Sequence, residues 1–202
     1  MNTAKIQLSE TELQLVTNSE VILTKNRIIK KVYDMLGLVA GEMRIIARDH
    51  QSVLPAELLL AAPKIARGEN YLGLPYVMLD YPRLFEKDDV FAIRMMFWWG
   101  NFFSATLHLK GKHKSKYQEN LVNQFAFFCE KHYYVCVSSE EWNHHFGANN
   151  YQPVARFTPE EFENRIREKD FIKLSLQHPL SAWENAAEFF LLSFKQMLFI
   201  SG

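Results

Sequence analysis

The densest group of ionisable side chains in this sequence is Glu140-Glu141-Trp142-Asn143-His144-His145-Phe146. On a helix, Glu141 and His145 are four apart and share a face, as do Glu140 and His144. A carboxylate beside an imidazole raises its basicity and fixes its tautomer, so such a pair suits proton transfer. It also suits a metal, but a metal site needs three or four convergent ligands, and no companion motif stands elsewhere in the sequence. No metal site is therefore expected. The same charges serve equally well as capping and dipole partners of a short surface helix.

Two further groups have the right residue types in weaker patterns. Cys129-x-x-His132-x-x-x-Cys136 offers three soft ligands, but it crosses from an expected helix to an expected strand, where side chains need not converge. Cys129 follows Phe127-Phe128, which points to a buried thiol rather than an activated one. Lys110, Lys112, Lys114 and Lys116 cluster between a hairpin and a helix start. A basic loop at a helix N-terminus grips phosphate, because backbone N–H groups add to the ammonium charges. These four lysines are the candidate anion-binding residues, for a phosphate or a nucleic acid.

The remaining candidate chemistry depends on a hairpin register. Val90–Trp99 and Phe102–Lys110 read as two strands separated by Gly100-Asn101, a pair suited to a two-residue type II′ turn. That turn sets Phe97 opposite Ser104, Met95 opposite Thr106 and Ile93 opposite His108. An odd-length loop would instead align the two apolar rows, since a one-residue slip exchanges faces. Turn chemistry favours the first register and hydrophobic parity the second; we take the turn chemistry as deciding. The expected result is a concave apolar wall carrying a few polar groups, which is how a small-molecule pocket is built. Met95, Phe97, Ser104, Thr106 and His108 are then the ligand-binding candidates. His108, Glu141 and His145 are the candidate proton-transfer groups.

The elements that must position these residues follow from periodicity. Ile22, Ile29, Leu36 and Met43 recur every seven residues, with Val32, Val39 and Ile46 between them, and predict a long helix over 19–50. Its stripe would bury against partner helices or against the same helix of a second chain. Gly37 and Gly41 would let another backbone approach closely. Helices are also expected over 56–62, 116–131, 140–146, 159–169 and 182–200. Strands are expected over 74–81, at a sheet edge because prolines bound it, and over 133–137, 154–157 and 171–176. Ser9/Glu12, Ser115/Gln118, Ser138/Glu141, Thr158/Glu161 and Ser181/Glu184 all fit the capping-box spacing.

Composition bounds the rest. The chain has 202 residues, 23 Lys+Arg against 23 Asp+Glu, 48% hydrophobic residues and 14% aromatics. That excludes intrinsic disorder and a disulfide scaffold, and zero net charge speaks against a protein built for nucleic acid. Only 8 glycines are present, with no Gly-rich phosphate loop, no H-E-x-x-H and no G-x-S-x-G elbow, so no cofactor is expected. The first ten residues lack an apolar signal region. No run of ~18 uncharged apolar residues exists, and two cysteines suit free thiols in a reducing compartment.

The expectation is a soluble cytoplasmic α+β protein of one domain over 1–202. Its helical N-terminal region covers 1–62 and its sheet-containing body 63–202. A central antiparallel sheet built around the 90–110 hairpin would be packed by the long helices. The leading functional reading is a non-catalytic binding or interaction protein, self-associating as a homodimer through exposed aromatic or heptad surface. A small-molecule enzyme using His108 or the Glu141/His145 pair is the alternative. A phosphate or nucleic-acid binder is the third. Trp98, Trp99, Phe102 and Phe103 crowd one tight turn, and whatever covers them should be informative.

Overall fold

The seven-residue stripe forms the spine of the structure. In the computed structural model, which describes residues 6–50 and 54–200, helix α2 runs over Ser19–Asp49 and buries Ile29, Val32, Leu36, Val39, Met43 and Ala47. A short helix, α1 (Glu10–Thr17), precedes it across Asn18, and α3 (Ala56–Leu60) follows. The stripe packs against the C-terminal helix α7 (Ala186–Ile200) and against the sheet.

The sheet has seven strands, all paired antiparallel: β1 (Lys64–Tyr71), β2 (Leu74–Phe85), β3 (Val90–Trp98), β4 (Phe102–Lys110), β5 (Tyr134–Cys136), β6 (Tyr151–Pro153) and β7 (Phe171–Pro179). Their order is β1-β2-β3-β4-β7-β5-β6. Helices α4 (Lys112–Asn123), α5 (Phe125–Glu130) and α6 (Pro159–Glu168) fill the connections. This is the expected α+β architecture, with the long N-terminal helix, the C-terminal helix and the 90–110 hairpin in place.

One face of the sheet is apolar throughout. Val77, Leu79, Phe91, Ile93, Met95, Phe97, Phe103, Ala105, Leu107, Leu109 and Leu174 point to the helices and join α2 and α7 in one continuous core. Burial of a phenylalanine such as Phe103 or Phe190 contributes roughly 2–3 kcal/mol. The hairpin register that produces this face corrects the expected one. Phe97 pairs with Phe103, Met95 with Ala105 and Ile93 with Leu107, around a three-residue loop of Trp99, Gly100 and Asn101. Burying two aligned apolar rows under helices outweighs a preference for one turn type, so parity decides the register.

Several boundaries differ from the expected ones for identifiable reasons. Of the five capping boxes, Ser9/Glu12 and Thr158/Glu161 form, each with both reciprocal bonds. Ser115 lies inside α4, which starts at Lys112, and Ser181 lies in a 3-10 segment, Leu180–Asn185, ahead of α7. Strand β2 is not an edge. β1 covers it, and the register of β2 against β3 shifts between Asp80 and Arg83, where Pro82 sits. Val154–Arg156 is a 3-10 turn rather than a strand. No helix forms over 140–146.

Both sides of the aromatic tip are covered by the chain itself. Phe103 packs on Trp183 and Phe190, while Phe102 packs on Phe146 and Trp98 on Tyr71. Trp98 and Phe102 are each only 6% exposed. The aromatic surface expected as a contact region is therefore interior.

Candidate functional site

On the sheet's other face, lone charged or polar residues stand in otherwise apolar strands. Asp80 lies on β2, Arg94 on β3, Thr106 and His108 on β4, and Lys173 and Ser175 on β7; all but Arg94 are buried. Pairing aligns them into a band, with Asp80 opposite Arg94, Arg94 opposite Thr106, Thr106 opposite Ser175 and His108 opposite Lys173. Two small apolar clusters flank the band: Met96, Trp98 and Phe102 on one side, Cys136, Tyr151 and Phe171 on the other.

A strap of residues 137–150, joining β5 to β6, crosses this band. Its backbone groups are spent on side chains of the sheet. The Tyr71 hydroxyl accepts from the amides of His144 (2.7 Å) and His145 (3.0 Å). Lys173 Nζ donates to the carbonyls of Glu141 (2.9 Å) and Asn143. Those amides and carbonyls would pair internally in a helix, which is why the Glu141/His145 helical pair does not form.

The strap delivers Glu141 and His144 into the band. Glu141 Oε2 accepts from Lys110 Nζ at 3.0 Å, and its Oε1 lies 3.0 Å from His108 Nε2, bent off the axis of a good hydrogen bond. His144 Nε2 accepts from Arg94 Nη1 at 3.1 Å, so its proton sits on Nδ1. Arg94 in turn forms a two-point pair with Asp80, at 2.7 and 2.9 Å. Thr106 and Ser175 hydroxyls meet at 2.7 Å, with Ser175 donating onward to the Ala105 carbonyl.

Burial sets the protonation of this cluster. It drives His108 below the usual imidazole range despite the Glu141 carboxylate beside it. His144 retains some exposed surface, but its ring turns inward, and burial together with Arg94 and Lys173 pushes it far down. His108 and Lys110 hold the Glu141 carboxyl at about 2, against the upward push of burial. Lys173, only 1% exposed, is lowered by burial to about 8.

The sign of the resulting pH dependence is fixed. A histidine with a folded pKa below its unfolded value of about 6.5 is charged more readily in the unfolded chain. Stability is thus highest above that value and falls as pH drops below it. Buried His113, also lowered by burial, adds the same sign. Glu141 acts only between about 4.5 and 2 and Lys173 only between about 8 and 10.5, leaving the window from pH 7.5 to 5.5 to the histidines. Urea unfolding across that window should show stability falling by up to ~1.4 kcal/mol per pH unit for each proton taken up. The slope should be shallower in His144→Gln; an unchanged slope would remove His144 from its cause.

The fate of the other sequence candidates is mixed. His108 and Glu141, expected in separate sites, are brought together. His145 is not with them; its Nδ1 accepts from the Gly147 amide. Ser104, Thr106 and His108 share the strap face, whereas Met95 and Phe97 lie on the helical face, so the expected five-residue pocket wall is divided between two sides of the sheet.

The four lysines diverge. Lys110 goes to Glu141 and Lys112 to Glu57 at 3.2 Å, while Lys114 donates to the carbonyls of Arg167 and Lys169 and Lys116 lies over the Tyr117 ring. The first amide of α4, Lys112 N, is taken by Asp89 at 2.6 Å. Cys129 and Cys136 are free thiols. Among the described residues no three His, Cys, Asp or Glu side chains converge as metal ligands, and no helix is long and apolar enough to cross a membrane.

A second feature lies at the other end of the molecule. Every residue of α1, and of α2 through Thr24, is exposed. The stripe that α2 buries from Ile29 onward continues to Val21 and Ile22, where the body no longer covers it; Ile22 is 57% exposed. Leu13, Leu15, Val16 and Leu23 are also at least half exposed. Gly37 and Gly41 have open space beside them. Where this arm meets the body, a groove of about 580 Å³ runs between α2 and β1, lined in part by Asn26, Ile29, Lys30 and Tyr33. Neither a family model, nor a curated protein, nor a solved structure matches the chain.

Proposed function

We propose that this protein is a non-catalytic interaction protein that pairs with a second copy of itself through the arm formed by α1 and the start of α2. The observation that carries this reading is the core-type stripe of α2 running on, uncovered, through Ile22 and Val21. Contiguous exposed apolar surface of this kind marks contact sites in water-soluble chains.

The arm's charges favour a second copy as occupant. α1 carries Glu10 and Glu12 and no basic residue, while α2 carries Lys25, Arg27, Lys30 and Lys31. An antiparallel pairing of two arms would bring the acidic α1 of one copy toward the basic stretch of the other. Such a self-complementary surface is what a two-fold interface requires. The exposed intrachain pairs Arg27–Glu20 and Lys30–Asp34 are weak enough to rearrange.

The band on the strap face supports catalysis poorly. The cavity beside His108 has room for one small particle at most, so the His108–Glu141 pair has no room for an organic substrate. The divergence of the four lysines weakens the phosphate and nucleic-acid reading. Two free thiols fit a reducing compartment, and we place the protein in the cytoplasm.

Amide hydrogen exchange tests the pairing at its location. The amides of 10–24 should be protected at high protein concentration and lose protection on dilution, while the sheet stays unchanged. Exchange in 10–24 that does not depend on concentration would refute the pairing.

A further inference from the structure

We propose that the small cavity beneath the strap is a binding site for one small monovalent anion of halide size. It is lined by Ala92, Arg94, Thr106, His108, His144 and Lys173, so every ionisable group on its wall is basic. The two carboxylates of the band stand behind that wall, Asp80 on Arg94 and Glu141 on His108 and Lys110.

Three observations set the class of ligand. The first is charge. With both imidazoles neutral, the band holds three fixed cations, Arg94, Lys110 and Lys173, against two carboxylates, Asp80 and Glu141. Arg94 and Lys110 have carboxylate partners. Among the described residues Lys173 has none; its ammonium is met by the Glu141 and Asn143 carbonyls and by the Tyr151 ring at 5.3 Å. Burying a cation without a counter-charge is expensive, and a single negative charge balances the set.

The second is size. The cavity is about 10 Å³, room for one small particle at most and not for phosphate or a carboxylic acid. The third is a poorly satisfied group, whose nearest partner is Glu141 Oε1, 3.0 Å away and off axis. His108 Nε2, on a side chain 6% exposed, has no hydrogen bond of good geometry among the described residues. A water would serve that nitrogen but would leave the charge uncompensated. A halide answers both, since a negative ion beside His108 and His144 also favours their protonated forms.

The site is independent of the arm, so it stands or falls apart from self-association. The test is thermal melting of the full chain at pH 7 and constant ionic strength, with sodium chloride replaced stepwise by sodium gluconate, whose anion is too bulky to enter. Binding to the folded state alone predicts a midpoint that rises with chloride and levels off, by a few degrees in all. Bromide, the larger ion, should raise the midpoint less than chloride, and Lys173→Met should lose the rise. Equal midpoints in chloride and gluconate, or a full chloride effect in Lys173→Met, would overturn the proposal. Should Lys173→Met fail to fold, the His144 ring is followed by NMR in the natural chain. Its titration midpoint should be higher in chloride than in gluconate, and identical midpoints overturn the site.

Discussion

Arg94→Ala should destabilise the protein by about 3–5 kcal/mol, the cost of leaving one member of a buried ion pair without its partner. Arg94 and Asp80 side chains are only 13% and 11% exposed, and their two-point contact is the band's closest ion pair. Without the guanidinium, the buried Asp80 carboxylate loses its two-point partner, and His144 loses the donor on its Nε2. The loss should exceed that of a typical surface substitution several-fold. A double variant separates pairing from packing. Arg94→Met with Asp80→Asn removes both charges while keeping volume, so it should lose far less stability than Arg94→Ala. Urea unfolding of the three chains is the measurement. A double variant as unstable as the single would mean that shape, not charge compensation, holds the band together.

Ile22→Asp should leave folding intact and weaken self-association by about 100-fold or more. Ile22 is 57% exposed and lies outside the core formed by the described residues, so the monomer loses little by its removal. In the proposed pairing it would lie in the seam, where two copies of the aspartate would be buried among apolar side chains. A 100-fold loss corresponds to about 2.7 kcal/mol, well within the cost of burying carboxylates without partners. Leu36, fourteen residues further along the same stripe, provides the contrast. It is fully buried against the body, and Leu36→Asp should unfold the protein rather than dissociate it.

The elements that read clearly in the sequence are those whose partners are near in sequence or whose pattern is long. Helix α2 carries its seven-residue period over five turns or more, and Thr158-Pro159-Glu160-Glu161 announces α6 within four residues. The hairpin strands were legible, but their register was not, because Gly100-Asn101 suits a turn that the aligned apolar rows overrule. β1 was illegible for a different reason. Its sequence, Lys64–Tyr71, is charged and carries Gly68, as an edge strand that resists further pairing should be.

The site was half visible. His108 and Glu141 drew attention for their chemistry, yet nothing in their spacing says that a strap between β5 and β6 brings them together. Tyr71 and Lys173 decide the path of that strap, and both are remote from it in sequence. A signal for the missed residues did exist: Arg94 and Lys173 are each the single charge of an apolar strand, and Asp80 interrupts the apolar run of β2 before Arg83. Lone charges of this kind are seldom buried unless paired, so three of them in separate strands imply one another.

The central claim is that the uncovered stripe of the arm joins two copies of the chain. Light scattering on the protein as it elutes from a size-exclusion column measures this directly. The natural chain should have twice the mass of one chain at micromolar concentration, and Ile22→Asp should have the mass of one. A natural chain that stays at the mass of one at every concentration examined would contradict the claim.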